Sequence, residues 1–202
     1  MILQNNKNSV LLTGMKNILF CILLVSLFSC SQVDPEEETQ TYYFEIEYEN
    51  QAWGYQFSGI HIDRDGSVYS YDFSNTDEVW QPTNADTLGV TELENKYSHA
   101  SEEEGVIAVD SLLYYYNLAL NLSDSSHTDP VNEGADMGLV SCSFFIYDEE
   151  DAEYYRQTFR VDGDWSYENN SEDGQAIIRW LVRVHDSLEK LTFSYFQLPE
   201  NE

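Results

Sequence analysis

Apolar and polar residues alternate with a period of two in several segments of the chain, which predicts β-strands. In residues 41–48 every second residue is apolar and the intervening ones include two glutamates, so we predict a half-buried strand with a polar second face. In residues 60–73 two alternating runs flank Asp65-Gly66. This pair supplies the positive φ of a tight turn, so the segment predicts a hairpin.

A second hairpin is predicted where residues 138–147 and 154–161 flank a short acidic connection. Alternation along its second arm assigns Tyr155, Phe159 and Val161 to one face and Arg156 and Arg160 to the other. In the first arm Cys142 alternates with apolar residues. That position predicts a buried, unreactive thiol rather than a nucleophile.

Two helices are predicted between the hairpins. Residues 91–94, Thr-Glu-Leu-Glu, have the form of a capping box and predict a short helix that the acidic segment 101–105 ends. Asp110 can cap a second helix, although the many apolar residues that follow would equally fit a strand. The apolar residues that recur there at helical spacing are Leu113, Tyr116 and Leu120.

The last helix is predicted for residues 172–188, with Ser171 as its N-cap and acidic residues in its first turn. Its apolar stripe consists of Ile177, Trp180, Leu181, Val184 and Leu188. Residues 191–195 could add a final edge strand. Together these elements predict an α+β domain over residues 41–202. It has a largely antiparallel sheet made of hairpins and two or three helices, with the C-terminal amphipathic helix packed on the sheet.

The N-terminal region has the pattern of a targeting segment. Residues 18–28 carry no charge, Lys16 precedes them, and a small residue follows, as in a secretory signal. The run is shorter than the roughly 20 apolar residues of a membrane span. Leu27-Phe28-Ser29-Cys30 resembles a bacterial lipobox. That resemblance implies that residues 1–29 are removed and that Cys30 carries a lipid. Met15-Lys16-Asn17 and the apolar run form a complete short signal by themselves, which predicts Met15 as the true start. An ordinary secreted protein cleaved nearby is the alternative.

Residues 30–40 are polar, acidic and interrupted by Pro35, which predicts a solvated tether. They also resemble the acidic export signal that follows the lipidated cysteine in surface lipoproteins of the Bacteroidota. This resemblance implies an outer-membrane protein that faces outward and meets the membrane through its lipid. A charge run that serves as a linker is the alternative. With Cys30 lipidated, Cys142 is left without a disulfide partner in the mature chain.

Composition narrows the classes of partner. The chain has 9 Lys and Arg against 37 Asp and Glu, a formal charge of −28, so it cannot neutralise a run of nucleic-acid phosphates. The same charge disfavours electrostatic attachment to anionic lipid. Apolar residues make up 42% of the chain, which is enough for a packed core.

Motifs for catalysis and metal binding are scarce. The four histidines lack ligand spacing, and neither a nucleophile elbow nor a glycine-rich phosphate loop occurs, so no catalytic residue and no cofactor is predicted. One stretch faintly resembles a calcium loop, and an ordinary β-turn explains it equally. Its candidate ligands are Asp63, Asp65, Ser67 and Asp72.

Aromatic residues near loop-forming residues are the best functional lead. They are Trp53, Tyr55, Trp80 and Trp165. If exposed, their rings could stack on sugars or anchor a partner protein, and the alternative is burial in the core. The sequence therefore favours a non-enzymatic binding or accessory module at the cell surface, with a glycan or protein partner. The alternatives are a hydrolase with an unrecognised carboxylate site, and a calcium- or carbohydrate-binding module.

Overall fold

The alternating segments form antiparallel strands in the computed structural model, which describes residues 40–52, 54–74, 76 and 79–188. The strands are β1 (Tyr42–Asn50), β2 (Gln56–Asp63), β3 (Ser67–Asp72), β4 (Thr87–Gly89), β5 (Ala100–Val106), β6 (Val131–Asn132), β7 (Leu139–Asp148), β8 (Glu153–Gly163) and β9 (Trp165–Glu168). The helices are α1 (Val90–Tyr97), α2 (Val109–Ala119) and α3 (Glu172–Ser187).

These nine strands form one sheet in the order β5-β3-β2-β1-β7-β8-β9-β6, and β4 pairs with β8 outside that path. All of the strand pairs are antiparallel. Both predicted hairpins, β2–β3 and β7–β8, are present, and Gly66 has the positive φ of 87° that the first turn requires. The predicted α+β class with a largely antiparallel sheet is confirmed.

Helices α2 and α3 cover one face of the sheet, which we call the helix face. Trp180 of α3 is 5% exposed; its ring stacks on Tyr115 at 4.4 Å and meets Phe44 of β1 edge-on at 5.1 Å. The Ser171 side chain accepts a hydrogen bond of 3.1 Å from the Gly174 amide. The predicted C-terminal helix, its N-cap and its packing on the sheet are therefore confirmed.

Helix α1 lies on the opposite face, which we call the cleft face. There Leu93 and Tyr97 pack against Phe57, Tyr71 and other aromatic residues of the sheet. The predicted capping box is displaced by two residues, because Glu92, rather than Glu94, reaches back to the Gly89 amide (3.3 Å). The helix therefore begins directly after β4.

Three local predictions are wrong. Helix α2 is present, but its N-cap is Ala108 rather than Asp110. Of its three predicted apolar residues, Tyr116 packs against the core, whereas Leu113 and Leu120 are exposed. The acidic segment 101–105 is part of the edge strand β5, whose solvent-facing side tolerates charge. The third is the alternation predicted along β8, which an irregular pairing with β7 interrupts.

A bulge between β7 and β8 breaks the alternation of β8. Cys142 pairs with Arg160 while the adjacent Ser143 pairs with Thr158, so Phe159 is an additional residue. Phe159 consequently packs on the helix face, whereas Val161 lies on the cleft face. Arg160 pairs with Cys142, which lies on the helix face, whereas Arg156 pairs with Phe145, which lies on the cleft face. The two arginines are therefore on opposite faces of the sheet.

Cys142 is fully buried, and burial raises the pKa of its thiol to about 12, as expected for an inert cysteine. Within the described residues, no helix combines the length and apolar character needed to cross a membrane. Cys30, Trp53 and the proposed edge strand 191–195 lie outside the described residues.

Candidate functional site

The polar face of β1, predicted to be solvated, is buried. Glu45 is 1% exposed and Glu47 is 8% exposed, and both lie on the cleft face. Carboxylates at such positions need cations and hydrogen-bond donors to replace lost hydration. Here α1 and β8 each supply a cation, Lys96 and Arg156.

Lys96 lies between the two carboxylates. Its Nζ is 2.5 Å from Glu45 Oε1 and 2.5 Å from Glu47 Oε2, and the side chain is fully buried. Four aromatic rings surround the ammonium group, with centroids 5.1 to 5.5 Å from Nζ, a distance at which cation–π attraction is significant. The rings are those of Phe57, Tyr71, Trp80 and Tyr97.

Arg156 joins this cluster to hydroxyl groups of β7. Its Nη2 donates to Glu47 Oε1 and to Ser141 Oγ, each at 3.2 Å, while its Nε donates to Ser143 Oγ at 3.2 Å and lies 3.9 Å from Glu45 Oε2. Burial alone would lower the pKa of Arg156, but the two glutamates outweigh it and raise that pKa. The guanidinium is therefore a fixed donor.

Two tyrosines complete the environment of Glu45. The hydroxyls of Tyr71 and Tyr97 donate to Glu45 Oε1 at 2.7 and 2.9 Å. Gly59 makes room for one of them, since a Cβ at that position would lie 2.5 Å from the Tyr71 hydroxyl oxygen. Burial would raise the pKa of Glu45, but Lys96, Arg156 and the Tyr71 hydrogen bond outweigh it and hold the pKa below its usual 4.5.

We call Glu45, Glu47, Lys96 and Arg156 the charge cluster. With both acids ionised and both bases protonated it carries no net charge, although its four side chains are almost entirely withdrawn from water. Burial and the negative charge of Glu45 raise the pKa values of Tyr71 and Tyr97 well above 10. These hydroxyls therefore remain proton donors to Glu45.

A cleft of about 540 Å³ opens beside the charge cluster. Along one edge of β8, β4 pairs with residues 153–155 and β9 pairs with residues 160–161. The cleft lies beside the stretch of β8 between these two pairings. Glu47, Arg156 and Thr158 contribute its polar lining, and the rings of Phe57, Trp80 and Tyr167 also line it. The loop with Pro82 and Asp86 forms one wall.

Hydrogen bonds hold this wall in place. The Tyr55 hydroxyl accepts from the Trp80 amide at 2.9 Å, and Glu92 Oε1 of α1 accepts from the Thr83 amide at 2.7 Å. The Arg156 amide donates to the Asp86 carbonyl at 2.9 Å. The cleft is therefore a formed feature of the fold rather than a gap beside a free loop.

A second groove of about 520 Å³ continues from the cleft and shares Glu49, Gln51 and Leu139 with it. Trp165, 52% exposed, lines this groove together with Asp164. A ligand longer than the cleft can therefore extend across these shared residues to a second indole ring.

The four aromatic candidates have different positions. Trp80 is half-buried in the cleft, Tyr55 is half-buried beneath it with its ring stacked on Phe57, and Trp165 is exposed. Trp53 lies outside the described residues. The structure thus associates two of the three described candidates with one continuous concave surface.

The calcium candidates do not converge. Asp65 Oδ1 accepts from the Ser67 amide in the hairpin turn, whereas Asp72 lies at the other end of β3 and accepts from the Ser74 amide. Six strand residues span roughly 17 Å, too far for shared coordination. Asp63 lines a separate groove. Within the described part of the chain, no group of three or more His, Cys, Asp or Glu residues could hold a metal ion.

The charge cluster was not predicted from the sequence. Its residues come from three elements that are distant in the chain, and alternation assigned the glutamates to solvent. One signal was present: with 9 basic residues against 37 acidic ones, lysines are scarce, and Lys96 stands next to Tyr97 in a predicted helix. Comparisons with protein-family models, curated proteins and solved structures find no match to this chain.

Proposed function

We propose that this chain is a lipid-anchored protein of the outer membrane, exposed at the cell surface, whose folded part is a non-enzymatic binding module for a glycan. The aromatic-lined cleft, with hydrogen-bonding groups fixed by the charge cluster, is the observation that carries the binding function. The N-terminal pattern that resembles a lipobox, followed by an acidic tether, supports the localisation.

The lining of the cleft supports a polyhydroxylated ligand. Sugars offer apolar C–H faces that stack on rings and hydroxyls that both donate and accept, so a site for them combines aromatic and polar side chains. Trp80 and Tyr167 supply rings, while Glu47, Arg156 and Thr158 supply acceptors and donors at one wall. Because the charge cluster fixes these polar groups in advance, little ordering entropy is lost on binding.

Electrostatics favour a neutral glycan over an acidic one. Arg156 is the single cation among the described residues of the lining, and it is already paired with two glutamates. The lining also contains Glu49 and Asp86. The overall charge of −28 adds repulsion toward any polyanion.

The carboxylate pair is less suited to hydrolysis. A glycosidase needs one carboxyl group that is protonated at working pH, and this requires a raised pKa. The pKa of Glu45 is instead lowered, and its side chain is inaccessible behind Lys96. A hydrolase would therefore need an acid from elsewhere, and incubation of a bound oligosaccharide with the protein should yield no cleavage products.

Truncation of Trp80 tests the site. We expect full-length Trp80→Ala to lose about tenfold or more in affinity for whichever neutral oligosaccharide binds best in an array screen, because a central ring contact of this kind contributes over about 1 kcal/mol. Titration calorimetry measures the effect. Tyr114→Ala is the matched control, since Tyr114 is an exposed ring on α2. Equal affinity of both variants, or binding of no neutral glycan, would contradict the proposed site.

Lipidation is tested separately. Cys30→Ala should abolish incorporation of radiolabelled palmitate and release the protein from the membrane fraction, because one cysteine carries the lipid. Cys142→Ala, which removes the buried thiol, should label like the parent. A Cys30→Ala protein that still labels would end the lipoprotein assignment without affecting the glycan site.

A further inference from the structure

A third concavity lies on the cleft face, apart from the cleft. It is a groove of about 280 Å³ formed at the start of β1, the end of β2 and the surface of α1. We call it the tyrosine groove, after the three tyrosines among its lining residues. Its lining includes Tyr42, His61, Asp63, Tyr69, Glu94 and Tyr97.

His61 is a buried imidazole with unused hydrogen-bonding capacity. It is 3% exposed, and its Nδ1 has no hydrogen-bond partner among the described residues. Its ring stacks on Tyr97 at 3.9 Å and on Tyr69 at 5.3 Å. Burial, aided by the charge of Lys96, lowers the pKa of His61 to about 3, so the ring is neutral and keeps one acceptor nitrogen.

Asp63 follows two residues later on the same strand and therefore on the same face. Its Oδ1 is buried and also lacks a hydrogen-bond partner among the described residues. A buried acceptor without a donor costs free energy, and His61 and Asp63, whose side chains each carry one unpaired polar atom, both line this groove.

We propose that the tyrosine groove binds a primary alkylammonium group, such as a lysine side chain. An ammonium group offers three N–H donors, which can serve the acceptors of His61 and Asp63. The ring of Tyr42 is part of the lining and aromatic rings attract cations, while the carboxylates of Asp63 and Glu94 add charge complementarity. Among the described residues that line the groove there is no Lys or Arg.

The chain as a whole favours such a ligand. Its charge of −28 attracts cations and speeds their approach. A metal ion is a poorer fit, because the described residues offer no group of three His, Cys, Asp or Glu ligands. The proposal does not depend on the glycan site, since the two concavities have no lining residue in common.

Binding should weaken in acid. Burial raises the pKa of Asp63 to about 6, with Asp65 and Glu103 adding to the rise and Arg64 opposing it. Glu94 is the acidic residue that faces the groove from α1, and His61 stays neutral. The ammonium group needs the ionised form of Asp63, so affinity should be full at pH 7.5 and fall as the pH drops through about 6.

The experiment follows the His61 signal by NMR in full-length protein with labelled histidine, during titration with butylammonium chloride. We expect a saturable shift in the millimolar range at pH 7.5 and a weaker one at pH 5. Sodium chloride and 1-butanol at equal concentrations should give no saturable shift. The His61 resonance is assigned as the signal that is missing from a His61→Phe variant. If that variant folds poorly, variants of the other three histidines assign the remaining signals, and the last one belongs to His61.

Asp63→Asn is the decisive variant, because it keeps the shape of the side chain and removes its charge. It should bind butylammonium at least about fivefold more weakly, whereas Asp129→Asn, the same change at an exposed loop residue, should bind like the parent. An unmoved His61 signal, or equal binding by Asp63→Asn and the parent, would overturn the proposal. A tetralysine peptide that binds more tightly than butylammonium would identify protein lysines as the source, and equal binding would identify free amines.

Discussion

Lys96→Met should be the most destabilising single change in the charge cluster. The substitution keeps much of the length of the side chain but removes the cation that contacts both Glu45 and Glu47. Arg156 is then left to compensate two buried carboxylates. Removing one partner of a buried ion pair typically costs about 3–5 kcal/mol. Urea unfolding of the full-length protein at pH 7.5, followed by tryptophan fluorescence, measures the loss.

The loss should depend on pH in a defined direction. In the parent the pKa of Glu45 is below 4.5, so its contribution to stability is present above the unfolded value and is lost as the pH falls below it. In Lys96→Met a carboxylate without its cation has a raised pKa, so its contribution is lost as the pH rises. The difference between the two proteins should therefore shrink from pH 7.5 toward pH 4.5.

Two further variants test this explanation. Lys96→Met combined with Glu47→Gln restores neutrality to the cluster, and should recover part of the stability and flatten the pH dependence. Arg179→Met removes an exposed cation from α3 and should change the free energy of unfolding by no more than about 0.5 kcal/mol. If Lys96→Met were as stable as Arg179→Met, the cluster would contribute little to the fold.

The sequence predicts the fold well where one local rule decides the outcome. Alternation and Asp65-Gly66 identify β2 and β3, and the N-cap Ser171 with the apolar stripe identifies α3. In each case the determining residues are neighbours in the chain. The burial of Cys142 follows from the same rule of alternation.

The candidate site could not be predicted in this way, because its determinants are distant in sequence. Alternation places Glu45 and Glu47 on one face of β1, but only the packing of α1 over that face brings Lys96 to them. The face of Val161 depends on a bulge that arises from pairing with β7. From the sequence alone, glutamates are expected to be exposed to solvent. Here ion pairs with residues of other elements allow them to be buried.

The charge cluster and the cleft are linked through shared residues. Glu47 and Arg156 belong to both, and the Trp80 ring contacts Lys96 while lining the cleft. Burial of four charged groups is costly compared with an apolar core, and it fixes side-chain geometry. We infer that this geometry positions Glu47 and Arg156 in the wall of the cleft. Lys96→Met should therefore also weaken glycan binding, measured under conditions in which the variant is still folded.

Trp180→Ala should produce the largest loss on the other face of the sheet. The indole is 95% buried between Tyr115 of α2 and Phe44 of β1, so it connects both helices of that layer to the central strand. Its removal leaves a cavity beside the rings of Tyr115 and Phe44, which fill little of the vacated space. Replacing a buried Trp by Ala typically lowers the free energy of unfolding by about 3–5 kcal/mol. A domain of this size has about 5–15 kcal/mol in total, so the melting temperature should fall by many degrees.

Trp165→Ala provides the matched control, since the same atoms are removed from a ring that is 52% exposed. Its melting temperature should stay close to that of the parent, while affinity for long oligosaccharides falls and affinity for short ones does not, because the ring lines the continuation of the cleft. The two tryptophans thus separate stability from binding. If Trp180→Ala melted like the parent and instead lost a surface partner, the apolar stripe of α3 would be an interface, and its assignment to the core would be wrong.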